Sequence, residues 1–334
     1  MDYKKVKISF INPRIPLLRQ TPGSKGIWGD CQFFVNENIE ECDYWIVFQG
    51  LNKVETARCP PENIILITVE PPSLVRFKPN FLKQFNTVIT CHRNLDHPNV
   101  LHMELGLPWH IGLIKEMPKN NHQNIRRNRR RKRRESMRQN IPGKFKIAKD
   151  YDQLLAHKEY KKTKLMSVIT SNKRFSQGHR NRINFVRALS NHFGDQLDIF
   201  GSGIRSINDK WDAIADYKYH ITIENSNYTD YWTEKIADTF LGGAYPIYCG
   251  CPNLNDYFDP SAFSTIDIHD VGNSIKTIEA CIQNNFYEKS IGKIAAAKEM
   301  ILNKYNLFAI IDDFIRAKSN LVTSEKKVIQ LKPQ

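Results

Sequence analysis

Tyr231, Thr233, Glu234 and Lys235 stand close together where an apolar stretch and a polar loop lead into a short helical pattern. Thr233 is a typical helix N-cap, and the free N–H groups at a helix start bind anions. Lys235 falls in the first turn, where a cation is unfavourable unless an anion joins it. A diphosphate held by Lys235, Tyr231 and the N–H groups of Thr233 and Glu234 would remove that conflict. A βαβ unit with a solvated lysine is the simpler alternative.

Glu70 is a second candidate, because it follows the apolar stretch 62–69 and precedes Pro71 and Pro72. The prolines favour an extended backbone before them. A carboxylate at the carboxyl end of a parallel strand faces the crevice where such sheets bind ligands. Glu70 is therefore either a general base or an ordinary polar strand end.

The elements that must position these residues follow from hydrophobic periodicity. In the first half, Cys31–Asn36 could start a helix, and strands are predicted at 5–11, 43–48, 62–69, 86–90 and 100–103. In the second half, strands are predicted at 164–170, 197–200, 219–223, 244–249 and 264–268. Helices are predicted at 178–193, 209–217, 233–241 and within 272–318. Short apolar strands alternating with helices predict an α/β fold with parallel or mostly parallel sheets.

The length of 334 residues suits two domains with separate cores. The predicted division is an acceptor-side domain with the candidate base, a basic linker or loop insertion, a nucleotide-binding domain with C-terminal helices, and a polar, mobile tail. The boundaries of these four parts are 1–117, 118–150, 151–318 and 319–334.

Composition excludes several classes of protein. A hydrophobic content of 41% suits a globular chain, and no apolar run reaches the length of a membrane span. The N-terminal residues do not have the pattern of a signal peptide. Seven scattered cysteines, an odd number, favour reduced thiols and a cytoplasmic location. Asp150 and Asp152 have the spacing of a metal-binding D-x-D motif but lie outside the predicted cleft, so we interpret the spacing as incidental.

Most of the net charge of +14 comes from the Arg-rich segment, residues 124–138, which has nine Lys or Arg and one Glu. Such a run can bind an anionic membrane surface, an acidic partner or nucleic acid, or can simply be solvated. It contains no stacking aromatics and accompanies no RNP, zinc-finger or helix-turn-helix pattern, which argues against specific nucleic-acid recognition. Peripheral attachment to the inner face of a membrane is one expectation.

Three motifs in the second half form a recognisable set: Glu224-Asn225-Ser226, then Asp230-Tyr-Trp-Thr-Glu-Lys235, then Ala244-Tyr-Pro-Ile-Tyr248. Together they resemble the signature of the α1,3/α1,4-fucosyltransferase family, with Trp232 where that family usually has valine. Ser171-Asn172 and the helix around Phe185 and Leu189 resemble a bacterial fucosyltransferase pattern whose arginine binds the donor diphosphate. That arginine is Arg182, or Arg180 or Arg174 if the helix register differs. Asp198–Gly201 also resembles a strand of the family.

The resemblance implies two Rossmann-like domains that face each other across a cleft, the glycosyltransferase B architecture. It implies an inverting transfer of fucose from GDP-fucose to a glycan hydroxyl. The implied linkage is α1,3 or α1,4, on an N-acetylglucosamine or glucose-type residue of a surface polysaccharide or lipopolysaccharide, with protein glycosylation as a related role. Glu70 would be the catalytic base. The implied donor-binding residues are Arg182, Asn225, Tyr231, Thr233, Glu234 and Lys235.

No cofactor or metal is required where Arg and Lys neutralise the diphosphate, and stimulation by a divalent metal is left open. Two alternatives stay open. One is transfer of a different GDP-linked deoxysugar. The other, from a different class, is a non-catalytic or nucleic-acid-binding protein that uses the Arg-rich segment.

Overall fold

The computed structural model describes residues 3–115, 145–170, 177–318 and 324–334. Its strands are β1 Lys4–Phe10, β2 Ile27–Trp28, β3 Cys31–Val35, β4 Tyr44–Phe48, β5 Glu55–Cys59, β6 Ile64–Ile67, β7 Thr87–Thr90, β8 Val100–His102, β9 Leu113–Lys115, β10 Phe145–Ile147, β11 Lys164–Ile169, β12 Leu197–Phe200, β13 Tyr217–Ile223, β14 Tyr245–Cys249, β15 Ser264–Thr265 and β16 Lys327–Leu331. The α-helices are α1 Pro79–Leu82, α2 Tyr151–Ala156, α3 Gln177–Phe193, α4 Glu234–Leu241, α5 Val271–Gln283, α6 Phe286–Asn303 and α7 Leu307–Ala317.

Twelve of these strands form two large sheets, and the other four form two antiparallel pairs, β9 with β10 and β5 with β16. The first has the order β2-β3-β1-β4-β6-β7-β8, and every pairing in it is parallel except β2 with β3. The second has the order β12-β11-β13-β14-β15 and is parallel throughout. The predicted α/β fold with parallel sheets is confirmed. Because the strands of a parallel sheet end at one edge, each sheet presents one carboxyl edge for ligands.

Helices α3 and α4 cover the second sheet. In α3, Val186, Leu189 and Phe193 are buried against that sheet, and in α4 Ile236 and Phe240 have no exposed surface. The double glycine predicted to stop α4 does so: the N–H of Gly242 donates to Asp238 O, and Gly243 takes the left-handed backbone with φ of 64°. The short connection into β14 therefore follows from the sequence.

Two predicted helices are wrong. Residues Cys31–Val35 form β3, parallel to β1, because aromatic and β-branched side chains alternate between buried and half-buried positions there. The predicted helix 209–217 is only a 3₁₀ turn, Lys210–Ala213, since Asp209 caps Trp211 N and the chain then enters β13 at Tyr217.

The C-terminal segments also differ from the predicted division. Helix α7 packs on the first sheet, where Leu307, Phe308 and Ile311 join the core around β1. The rings of Phe308 and Phe33 lie 4.9 Å apart between centroids. The expected mobile tail contains β16, which pairs antiparallel with β5. An amphipathic pattern marks one face of an element but does not say which sheet that face covers.

The seven cysteines are free, and no helix in the described ranges has both the length and the apolar character that a membrane crossing requires. The D-x-D spacing has a structural explanation. Asp150 caps α2 through Gln153 N at 3.0 Å, and Asp152 accepts a hydrogen bond from Gly23 N at 2.6 Å. The Arg-rich segment lies outside the described residues.

The placement of β16 can be tested through two of its side chains. Leu331 is 1% exposed within the core beneath β5, whereas Val328 is 72% exposed on the same strand. Leu331→Ala is expected to lower the free energy of unfolding by about 2–5 kcal/mol, because it removes buried methyl groups and leaves a cavity. Val328→Ala is the matched control and should change stability by less than about 0.5 kcal/mol. Urea denaturation measures both, and equal effects would contradict the packing of this strand.

Candidate functional site

The carboxyl end of β13 and the start of α4 form a compact set of hydrogen bonds. The Thr233 hydroxyl caps α4 as predicted and accepts from Lys235 N at 3.3 Å. The Glu224 carboxylate accepts from Thr233 N at 2.9 Å and from Thr233 Oγ1 at 2.6 Å. The N–H group of Thr233 is therefore occupied by a protein carboxylate. It is not available for the diphosphate contact that the sequence suggested.

Lys235 lies inside this set. Its Nζ is 3.2 Å from Glu224 Oε2, 3.4 Å from Glu234 Oε1 and 3.0 Å from Thr233 Oγ1. Burial alone would lower the pKa of Lys235, but the charges of Glu224 and Glu234 outweigh it and raise the pKa above its ordinary value. Two carboxylates thus offset the unfavourable position of a cation at a helix N-terminus. Lys235 remains protonated across the physiological range.

Glu234 joins this set to the segment that follows the first sheet. Its Oε1 is 3.7 Å from Lys210 Nζ and 3.9 Å from His110 Nδ1. Burial opposes ionisation of Glu234, but Lys235, Lys210 and His110 lower its pKa far below the usual range. Lys210 Nζ also lies 2.6 Å from Asp238 Oδ2.

Asp238 is fully buried and fixes the backbone between the domains. Its Oδ1 accepts from His110 N at 2.9 Å and from Ile111 N at 3.0 Å. Lys210 compensates its charge, as expected for a buried carboxylate. Glu224, Lys210 and Asp238 were missed as site residues. Glu224 had a signal, since it opens the E-N-S motif at a strand end, but Lys210 and Asp238 become neighbours only in the folded chain.

A cavity of about 300 Å³ opens at this edge of the second sheet. Four of the predicted donor-binding residues line it: Arg182, Asn225, Glu234 and Lys235. Lys210, Asp238, His220 and Thr170 also line it. Tyr231 and Thr233 do not belong to its lining. The predicted site therefore divides into residues that face the cavity and residues that hold them.

Among the cations that line this cavity, Arg182 is the one without a carboxylate partner in the described residues. Its Nη1 donates to Asn225 Oδ1 at 3.1 Å, and its buried Nε has no hydrogen-bond partner in the described parts of the chain. Burial lowers the pKa of Arg182, but a guanidinium stays charged at any physiological pH. The buried hydroxyl of Thr170 is likewise unpartnered there. Unsatisfied buried polar atoms on a cavity wall are typical of a ligand site.

Two other arginines are alternatives for this role. Arg180 is exposed on α3, and Arg174 lies outside the described residues, together with Ser171 and Asn172. Of the arginines that the structure describes, Arg182 is the one that lines the cavity.

Glu70 belongs to the first domain and comes just after β6. Burial raises its pKa, with the charge of Lys235 lowering and that of Glu234 raising it. Its carboxylate thus feels the charges at the start of α4 across the domain boundary. His92 Nε2 donates to the backbone carbonyl of Glu70 at 2.8 Å and fixes this turn.

Tyr231 is 2% exposed and packs into the core of the first domain. Burial raises the pKa of its phenol above the ordinary value, with Glu224, Glu70 and Glu234 adding to the effect. Nearby, Arg93 pairs with Asp230, and Ser73 Oγ lies 3.1 Å from Ser226 Oγ. Tyr231 therefore joins the two domains beside Glu70 instead of lining the cavity. Among the described residues, no cluster of metal-ligating side chains was found.

Part of this chain is similar in sequence to known glycosyltransferases. Residues 159–284 match the family model described as "Glycosyltransferase family 10 (fucosyltransferase) C-term". The chain is 31% identical over 74 residues to "Alpha-(1,3)-fucosyltransferase FucT" of Helicobacter pylori, and 37% identical over 94 residues to "Alpha-(1,3)-fucosyltransferase 4" of Bos taurus. These alignments cover 22% and 26% of this chain, and only 15% and 23% of the two relatives.

A solved structure, "Crystal Structure of alpha1,3-Fucosyltransferase with GDP", aligns with a TM-score of 0.48 and 17% identity, covering 91% of this chain and 93% of that one. The resemblance predicted from the E-N-S and T-E-K motifs is confirmed, and the family match spans both motifs and Arg182.

Proposed function

We propose that this chain, whose residues 159–284 are similar to the C-terminal domain of glycosyltransferase family 10, is a fucosyltransferase. It transfers fucose from GDP-fucose to a hydroxyl of a glycan acceptor. The observation that carries the proposal is the cavity lined by Arg182, Asn225, Glu234 and Lys235 at a parallel-sheet edge, within the segment that matches the family. Such edges bind nucleotides in α/β folds.

In this mechanism the diphosphate of GDP-fucose lies in the cavity beside Arg182 and Lys235. These cations stabilise the negative charge that grows on the leaving diphosphate, the kind of preorganised electrostatic contribution that dominates many enzymes. Glu224 and Thr233 do not contact the donor but hold Lys235 in place. This mechanism requires no divalent metal, and titration with a divalent metal would measure any stimulation of the rate.

Glu70 acts as the base. Its carboxylate accepts the proton of the acceptor hydroxyl while the hydroxyl oxygen forms a bond to the anomeric carbon of fucose. The bond from that carbon to the diphosphate oxygen breaks, and its electron pair leaves with GDP. A single displacement of this kind inverts the anomeric centre. His92 fixes the Glu70 turn through its backbone carbonyl, and Tyr231 packs in the core that also contains Val69.

The acceptor in this proposal is an N-acetylglucosamine or glucose-type residue of a surface polysaccharide or lipopolysaccharide, linked α1,3 or α1,4. Transfer of another GDP-linked deoxysugar is the alternative, because groups that bind a diphosphate do not distinguish the attached sugar. A nucleic-acid-binding role has less support, since it gives the cavity around Arg182 no task. The Arg-rich segment is proposed to attach the enzyme to the anionic inner face of a membrane.

Binding of GDP tests the donor site directly. At one hundred times its dissociation constant, GDP should stabilise the protein by about 2.7 kcal/mol. Arg182→Ala should remove most of the rise in melting temperature, because it deletes the cation that faces the cavity without a carboxylate partner. Arg187→Ala is the matched control, since Arg187 is exposed on the same helix. Thermal unfolding with millimolar GDP measures the shift, and no shift in the wild type would refute the donor site.

The role of Glu70 is tested by Glu70→Gln, which is nearly isosteric. The variant should keep its fold and its affinity for GDP, while kcat falls by roughly 10²–10⁴ with little change in acceptor KM. In the wild type, the raised pKa of Glu70 predicts that kcat/KM falls as pH drops through a value above that of an ordinary glutamate. That acidic limb should be absent from the variant. Near-normal turnover by Glu70→Gln would assign the base to another residue, with Glu104 and Asp96 the next candidates.

Membrane attachment is tested by deleting residues 124–138. Turnover of a water-soluble acceptor should stay nearly intact, while binding to anionic vesicles weakens. Each basic residue near such a surface contributes about 1 kcal/mol to the free energy of binding. Vesicle sedimentation at low salt measures the binding. Unchanged sedimentation would refute attachment through this segment, and lost activity in a folded variant would assign the segment to the active site.

A further inference from the structure

A second cavity, of about 530 Å³, opens in the first domain and is distinct from the one around Arg182. It lies beside the points where β1, β3 and β4 end, and its lining includes Phe10, Asn36 and Gly50 from these three ends. The chain forms β3 on one side of β1 and then forms β4 on the other side. The strand order of the sheet therefore reverses at β1. Open parallel sheets bind ligands at that point.

The floor of this cavity is a set of polar side chains joined by hydrogen bonds. Lys7 is 3% exposed, and its Nζ lies 2.9 Å from Glu37 O and 3.4 Å from Glu55 Oε2. The same Glu55 oxygen accepts from Ser9 Oγ at 2.7 Å, and Ser9 accepts from Trp45 Nε1 at 2.9 Å. In the described residues, Glu55 Oε1 has no such partner. One oxygen of a fixed carboxylate thus remains available to a ligand.

Two asparagines on the rim are held in a similar way. Asn36 Oδ1 accepts from Phe10 N at 2.8 Å, which leaves its NH₂ group as a donor. Asn52 Nδ2 donates to Ile11 O at 2.7 Å, which leaves its carbonyl as an acceptor. The backbone is left-handed at Asn36 itself, with φ of 55°, and at Gln49 nearby, with φ of 72°. Conformations of this kind cluster at ligand sites.

These groups define the class of ligand. Two lysines, Lys7 and Lys53, balance two glutamates, Glu37 and Glu55, so the charged side chains of the lining do not favour an anion such as phosphate. The fixed donors and acceptors equally disfavour an apolar molecule, which would leave them unsatisfied. A neutral molecule with many hydroxyls satisfies both kinds of group, because each hydroxyl donates one hydrogen bond and accepts others. A pyranose is such a molecule.

We propose that this cavity is an acceptor subsite, which binds a sugar residue outside the disaccharide unit that receives fucose. The proposal rests on the proposed function. Glu70 follows β6, and β6 is separated from β1 by β4 alone. Two inter-strand spacings amount to about 10 Å, so a glycan with its reacting hydroxyl at Glu70 can extend a further residue into the cavity. The subsite makes the enzyme prefer extended acceptors over short ones.

The experiment compares N-acetyllactosamine with its tetrasaccharide, two repeats long, as acceptors. For the wild type, the KM of the tetrasaccharide should be lower by about tenfold, which equals about 1.4 kcal/mol. Thr56→Trp fills the cavity from an exposed position on β5 and should raise that KM to the disaccharide value. The kcat and the KM for GDP-fucose should not change. Val328→Trp, on the neighbouring strand outside the cavity, is the matched control and should keep the preference.

Asn52→Leu removes the rim acceptor without blocking the cavity, and it should weaken the preference in the same direction. Equal KM values for the two acceptors in the wild type, or an undiminished preference in folded Thr56→Trp, would overturn the subsite. If neither acceptor is fucosylated, the proposed function fails, and calorimetric binding of the tetrasaccharide decides the subsite separately. Loss of binding in Thr56→Trp then supports it, and binding that is absent from the wild type or equal in both proteins rejects it.

Discussion

The buried carboxylate of Glu224 is the constraint on which the proposed donor site depends. A lysine in the first turn of a helix opposes the helix dipole, and burial adds a desolvation cost. Glu224 offsets both, because it contacts Lys235 Nζ while it accepts from the N–H and hydroxyl of Thr233. Removing any one of the three would leave the others with an unpaired buried charge or donor. Strand end, helix cap and lysine therefore form a single structural unit.

This unit also relates the two domains to each other. Glu234 extends it to Lys210 and His110, and Asp238 holds the backbone of His110 and Ile111 from within α4. The segment that leaves the first domain is thus fixed to the helix that carries Lys235. The pKa of Glu70 responds to Lys235 and Glu234, so the candidate base and the candidate donor site share charges. A change at the start of α4 consequently alters both halves of the proposed reaction.

The local sequence pattern predicted much of this arrangement. It failed for the features that depend on contacts between residues distant in the sequence. Period-two apolar runs located β11 to β14, and the Thr233 cap with the glycine stop located α4. The sequence also predicted that Arg182, Asn225, Glu234 and Lys235 belong to one site, and all four line one cavity. It could not show that Tyr231 is buried between the domains. The same limit applies to α7 and β16, whose periodicity does not identify the sheet they join. Lys210 and Asp238 are 28 residues apart and become a pair only through folding.

The charge balance of the donor cavity has a consequence for binding and release. Lys210 and Lys235 each contact carboxylates, and Arg182 is left with Asn225 as its hydrogen-bond partner among the described residues. A diphosphate entering this cavity does not meet a cluster of free cations. It gains one unpaired guanidinium and competes with Glu234 for Lys235. In the proposed reaction, this competition limits how tightly GDP is held. The binding energy is then realised mainly as negative charge develops on the diphosphate, and less of it is realised in the ground state.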